Sequence, residues 1–177
     1  RQHGLVGTSV SASVLNGYQR HAAALWSAYY EGLESYKPEN CVRILNPLSA
    51  DLNVMRQTLL FNMLEAVQLN ANRKNGDLKL YEFGNCYIYD ESKRSEENRL
   101  AAYSEEYRLA IAVTGVAEPA SWNARPQAAS FFTLRAVAEK LLRRFGIDIY
   151  ALKTETLQSD LFGEALTMAL NGRELLQ

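Results

Sequence analysis

Two histidines, two cysteines and the glutamate pairs Glu96-Glu97 and Glu105-Glu106 are the residues of this chain from which generic catalysis could be built. A hydrolytic triad needs a histidine that the fold holds against a nucleophile. His3 sits in a small, polar opening stretch without period, and His21 falls on the polar side of a helical pattern, so neither is placed for that work. Cys41 and Cys86 are 45 positions apart, outside any CxxC pattern and away from clustered histidine. That spacing points away from tetrahedral zinc and toward reduced thiols in an intracellular setting. Adjacent carboxylates in a polar stretch point apart and stay solvated, whereas general acid–base catalysis needs two carboxyls in unequal environments. There is no Walker loop, no GxGxxG and no HExxH.

The elements that would have to position any such groups are those of one globular domain. The chain has 177 residues, 47% of them hydrophobic, with ten Gly and four Pro. At that size about 70% of the unfolded surface is buried, and a core forms without disulfide staples. Residues 1–88 carry 8 basic and 7 acidic groups and residues 89–177 carry 11 and 13, a net of −1 overall. Neither half is a basic arm, which argues against affinity built on neutralising many phosphates. The apolar run Ala22 to Tyr30 is about half the length a bilayer demands and holds two tyrosines, so it is not expected to span a membrane. The missing initial Met and the stop at Arg173-Glu174-Leu175-Leu176-Gln177, just after a turn signal, suggest a piece cut from a longer chain.

Leu15, Tyr18, Ala22, Leu25, Trp26 and Tyr29 recur at helical spacing and predict a helix ending near Gly32. Cys41 to Leu45 alternates like a short strand, stopped by Asn46-Pro47. Ser49 and Asp51 offer cap oxygens to a helix whose stripe is Met55, Leu59, Leu60, Met63, Leu64 and Val67, ended by Asn75-Gly76. Leu78–Gly84 and Cys86–Tyr89 are aromatic and β-branched, as strands require, and Asp90–Arg99 reads as a solvated connection. Arg108–Gly115 is apolar over strand length and reads as buried. Ser130 caps a helix with the stripe Phe131, Leu134, Val137, Ala138, Leu141, Leu142 and Phe145, closed by Gly146. Ile147–Leu152 and Leu166–Leu170 are expected strands, the second turning at Asn171-Gly172 into Arg173–Leu176. This mixture predicts an α+β fold with a mainly antiparallel sheet flanked by helices.

One ordered set of segments is more specific. Asn46-Pro47-Leu48-Ser49, then Met55-Arg56-Gln57-Thr58-Leu59-Leu60, then Leu80-Tyr81-Glu82-Phe83-Gly84-Asn85-Cys86-Tyr87 follow one another within about forty residues. This resembles the core of class II aminoacyl-tRNA synthetases, whose motif 2 strand carries an arginine that binds the α-phosphate of ATP. In this chain Ile88 stands at the place of that arginine and Asp90 at the place of the following glutamate. A neutral branched side chain offers a phosphate no charge-assisted hydrogen bond. The chain is still more similar to the catalytic-like module of bacterial-type phenylalanyl-tRNA synthetase beta subunits. That family's pattern continues through Leu109-Ala110, Thr114-Gly115, Trp122 and Ser130-Phe131-Phe132-Thr133-Leu134-Arg135-Ala136. The departures are Thr133, Arg135 and Ala136 in that helix start, and Phe162-Gly163-Glu164-Ala165 in a later loop.

The resemblance covers about residues 29–177 and leaves 1–28 as a lead-in. It implies a class II synthetase-like module, without catalytic or cofactor-binding residues of its own, within a cytoplasmic ligase of two alpha and two beta chains. In that enzyme the alpha chain activates phenylalanine with ATP and Mg²⁺, and tRNA is bound by the whole assembly. The module would pack on alpha, with Leu59, Met63, Tyr87, Ile88 and Tyr89 as candidate interface residues. A stand-alone small-molecule-binding or ligase domain of the same superfold is the alternative, because a fold does not settle function.

Overall fold

The computed structural model of the chain describes residues 6–7, 24–47 and 49–176. Its elements are β1 (Val6–Gly7), β2 (Ala24–Leu25), β3 (Val54–Met55), α1 (Leu60–Asn72), β4 (Leu78–Tyr89), β5 (Tyr103–Thr114), β6 (Val116–Glu118), β7 (Gln127–Ala128), α2 (Phe131–Arg144), β8 (Lys153–Leu157), β9 (Ala165–Leu170) and β10 (Arg173–Leu176). The architecture is α+β, and every strand pair is antiparallel except β1 with β4. Chain packing divides it into two units, Arg1–Gly32 with Tyr36–Ala129, and Leu33–Ser35 with Ser130–Gln177.

The first unit is organised by the β4–β5 hairpin, paired without a break from Leu78↔Thr114 to Tyr89↔Tyr103. What the sequence suggests as two strands, 78–84 and 86–89, is therefore one. Side chains alternate across a strand. Leu78 and Leu80 turn to one side, where they form a core with Met63 of α1, backed by Ala66, Val67, Ala110 and Ala112. β5 begins at Tyr103, earlier than expected, with residues 103–107 exposed and 108–114 half-buried rather than enclosed; Ala110 and Ala112 pack on the core that α1 shares.

Three local expectations for this unit give way to tertiary pairing. Residues 24–32 are not helical: β2 pairs with β3 and a 3-10 turn follows at Ser27–Tyr30. Asn53 Oδ1 accepts from Ser27 N at 3.0 Å, and the Tyr30 phenol is fully buried. Long-range partners outweigh a weak periodic preference here; the earlier part of that expected helix, and His3 and His21, lie outside the described residues. Cys41–Leu45 makes only a bridge at Arg43↔Val54. Met55 belongs to β3, so α1 starts at Leu60, with Thr58 Oγ1 accepting from Leu60 N at 3.2 Å in place of a cap from Ser49 or Asp51. The helix stops at a left-handed Lys74 (φ 62°), one residue ahead of the expected Asn75-Gly76.

Buried polar groups tie these segments together. Tyr30 Oη accepts from Gln57 N at 2.8 Å, and Gln57 Nε2 donates to Lys37 O (2.8 Å) and Cys41 Sγ (3.0 Å). Burial pushes the Tyr30 pKa up to about 12 and raises both cysteine thiols, which leaves Cys41 and Cys86 as poor nucleophiles.

In the second unit the sequence is obeyed more closely. Ser130 and Thr133 form a capping box at the start of α2, and Gly146 (φ 76°) closes it. Asn171 (φ 52°) and Gly172 (φ 79°) supply the two positive φ values of a tight hairpin turn between β9 and β10. The strand expected at 147–152 is instead a 3-10 turn at Ile149–Ala151, because Asp148 Oδ1 accepts from Tyr150 N at 3.0 Å and holds a turn; β8 starts at Lys153. The Asp160 carboxylate receives Glu34 N (2.7 Å) and Ser35 Oγ (2.5 Å), and the Ser35 hydroxyl is the main cause of its lowered pKa.

Candidate functional site

The segment after β3 runs along the edge of β4 that faces away from β5. Arg56 O accepts from Tyr87 N at 2.8 Å, and Arg56 Nε donates to Asn85 O at 3.0 Å. Arg56 Nη1 meets Glu82 Oε1 at 2.6 Å and reaches Asn62 Oδ1 of α1 at 3.5 Å. The arginine is 4% exposed. Its guanidinium lies against Gly84, where an added Cβ would stand 2.0 Å from Nη2. Glycine is required there by close approach rather than by a turn. The "Met-Arg" and "Glu-x-Gly" segments of the sequence are thus two halves of one node joining β3, α1 and β4.

Ile88 lies beyond this node on the same side of β4, half-buried, opposite Ser104. Two cations of this face hold carboxylates: Arg56 pairs with Glu82, and Arg108, opposite Gly84, pairs with Glu106 through Nε (3.0 Å) and Nη2 (2.5 Å). A phosphate at Ile88 would meet an aliphatic side chain that offers it no charge-assisted hydrogen bond. Among the described residues no group of three or more His, Cys, Asp or Glu could hold a metal ion. Glu105 and Glu106 are neighbours on a strand and turn to opposite faces, Glu105 accepting from Asn85 Nδ2.

The other face of the hairpin has a different character. Tyr81, Phe83, Tyr87 and Tyr89 of β4 share it with Tyr103, Tyr107, Leu109 and Ile111 of β5, by strand parity and register. Phe83 and Tyr107 stack at 6.1 Å with planes 7° apart, Tyr81 meets Phe83 edge-on at 5.9 Å, and Tyr89 meets Tyr103 at 5.1 Å. Phe83 is 52% exposed and Tyr107 73%. Contiguous exposed aromatics of this kind mark interaction surfaces.

Of the residues singled out from sequence, Leu59 and Met63 are each 3% exposed and packed in the core, so a partner meets neither without opening it. Tyr87 and Tyr89 are half-buried on the aromatic face, and Ile88 is half-buried on the opposite one. Phe83, Tyr103 and Tyr107 were not singled out for this face. Their alternation with small or polar neighbours is the signal that carries them, once the register is known.

A family model described as the phenylalanyl tRNA synthetase beta chain CLM domain matches residues 23–175. The phenylalanine–tRNA ligase beta subunit of Bacteroides fragilis is 49% identical over 150 residues, which is 85% of this chain and 18% of that protein. The same subunit of Bacteroides thetaiotaomicron is 48% identical over 150 residues, and that of Syntrophus aciditrophicus 31% identical over 159, or 90% of this chain. The chain spans about 18% of the length of these relatives.

Proposed function

The chain belongs to the family of the phenylalanyl-tRNA synthetase beta chain CLM domain, and from that premise we propose that it serves as a non-catalytic docking module for the alpha subunit of a phenylalanine–tRNA ligase. The module is of the class II synthetase kind and occupies residues 29–177, preceded by a lead-in at 1–28. It meets alpha through the aromatic face of β4 and β5, with Tyr87 and Tyr89 beside Phe83 and Tyr107. The observation that carries the reading is the pairing of two features on one hairpin. One face exposes stacked aromatics, and the other holds Ile88 where the resemblance calls for a phosphate-binding arginine.

In the whole enzyme, alpha activates phenylalanine with ATP and Mg²⁺, two alpha and two beta chains assemble, and tRNA is engaged by the assembly in the cytoplasm. Among the described residues no helix is long and apolar enough to cross a membrane. The chain contributes apolar area and a rigid hairpin to this assembly. Obligate interfaces are large and hydrophobic, and aromatic anchors dominate their energetics.

The test is retention of alpha on the immobilised chain. Wild-type chain retains alpha, whereas the double variant Phe83→Asp/Tyr107→Asp loses it while its thermal unfolding stays close to wild type, because both side chains are already exposed. A folded double variant that retains alpha in full overturns the docking face.

A further inference from the structure

A cavity of about 320 Å³ opens in the first unit beside β2 and α1. Its size is far above the ~10–15 Å³ that a single water needs. Trp26 and Tyr29 form its aromatic wall, Leu25 and Leu52 its apolar lining, and Asp51 and Glu65 its polar side. Among the described residues no basic side chain lines it. We propose that this cavity is a receptor for one organic cation, the guanidinium or ammonium group of an arginine or lysine side chain presented by a partner protein.

The wall is fixed before any guest arrives. Tyr29 stacks on Phe61 of α1 at 5.2 Å with planes 11° apart, and Phe61 is itself held edge-on by buried Tyr30 at 5.4 Å. Trp26 stands edge-to-face with Tyr29 at 6.2 Å and 78°, and both rings remain open to solvent, 46% and 37% exposed. A cation over such rings is attracted by their negative faces. Glu65 is oriented by Tyr29 Oη, which donates to its Oε1 at 2.8 Å. A carboxylate with one such bond keeps acceptor capacity for a bidentate guanidinium.

The field inside the cavity is negative. The Tyr29 pKa is raised, first by the hydrogen bond to Glu65, then by burial and by the charges of Glu65 and Asp51. Two carboxylates with no cation among the described lining residues attract positive charge, and aromatic walls favour an organic cation over a hydrated metal ion. Among the described residues the lining holds two carboxylates, fewer than the three protein ligands of a metal site. None of the described lining residues belongs to β4 or β5, so occupancy of the cavity and docking through the aromatic face are measured separately.

The experiment follows the Trp26 indole N–H by NMR as the chain is titrated with N-acetyl-arginine amide, and with N-acetyl-citrulline amide as the uncharged isostere. N-acetyl-arginine amide, and N-acetyl-lysine amide added in the same way, give a saturable shift, and citrulline gives none. Glu65→Gln, which keeps a partner for Tyr29 and leaves the unfolding midpoint unchanged, weakens arginine binding about tenfold. Spermidine, a free polyamine, binds no more tightly than the arginine derivative. In the assembled ligase, site-resolved N-bromosuccinimide oxidation of Trp26 is slower than in the chain alone, because a protein-borne cation of either kind covers the indole. Equal shifts with citrulline, undiminished affinity in a folded Glu65→Gln, tighter capture of spermidine, or a Trp26 oxidised as fast in the assembled ligase as in the chain alone each overturns the proposal.

Discussion

Replacing Gly84 by alanine should cost the first unit about 2–4 kcal/mol. The new Cβ would stand 2.0 Å from Arg56 Nη2, 3.1 Å from its Cζ and 3.2 Å from Leu59 Cδ2. The guanidinium would have to retreat by more than an ångström to restore van der Waals contact. It has nowhere solvated to go, since Arg56 is 4% exposed and Leu59 3%. Retreat would stretch the bonds to Glu82 (2.6 Å) and Asn85 O (3.0 Å). Overpacking alone costs about 1–3 kcal/mol, and each weakened bond to a charged group puts part of about 1.5–3 kcal/mol at risk. Backbone relaxation offsets some of this, which sets the net figure. At about 2–4 °C per kcal/mol for a chain of this size, the midpoint should fall by about 4–16 °C. Urea denaturation of four proteins measures it: wild type, Gly84→Ala, Arg56→Met and the double variant. Once methionine has removed the clashing nitrogen, the alanine should cost less than about 1 kcal/mol, a coupling between contacting residues. A Gly84→Ala protein within about 0.5 kcal/mol of wild type, or an equal loss in the Arg56→Met background, would refute the close-approach argument.

Other expectations follow from the same contacts. Because folding holds the Tyr30 phenol neutral, stability is full below the ordinary tyrosine pKa near 10 and falls as the pH rises from there through about 12. Absorbance titration should show a tyrosine phase near 12 that Tyr30→Phe removes, and that variant should lose about 1–3 kcal/mol by orphaning Gln57 N–H. In the second unit, Ser130→Ala should cost about 1 kcal/mol through loss of the capping box, read by thermal unfolding. Met63→Asp should unfold the first unit, whereas Phe83→Asp should leave its circular dichroism unchanged, which separates core from surface on one hairpin.

How far the sequence carried depended on whether an element was fixed locally. α2 needs only Ser130, its apolar stripe and Gly146, all within one segment, and the β9–β10 turn needs only Asn171-Gly172. Both are legible. The region before α1 is different, because its conformation is set by distant partners: Ser27 N by Asn53, Gln57 by Tyr30, Lys37 and Cys41, and Met55 N by Val42 O. Helical spacing of Leu25, Trp26 and Tyr29 carries no information about those partners. At the candidate site the sequence supplies Glu82, Gly84 and the neutral Ile88 through their motif. The use of Gly84 as room for Arg56 needs the pairing of β4 with the segment after β3. Leu59 and Met63 read as apolar stripe residues whether they meet a core or a partner, and only packing distinguishes the two.

The central claim is that this chain docks but does not activate. Phenylalanine-dependent exchange of pyrophosphate into ATP, measured on the purified chain with and without the alpha subunit, tests it most directly. The expected result is no exchange by the chain alone and exchange once alpha is added; exchange by the chain alone would contradict the account.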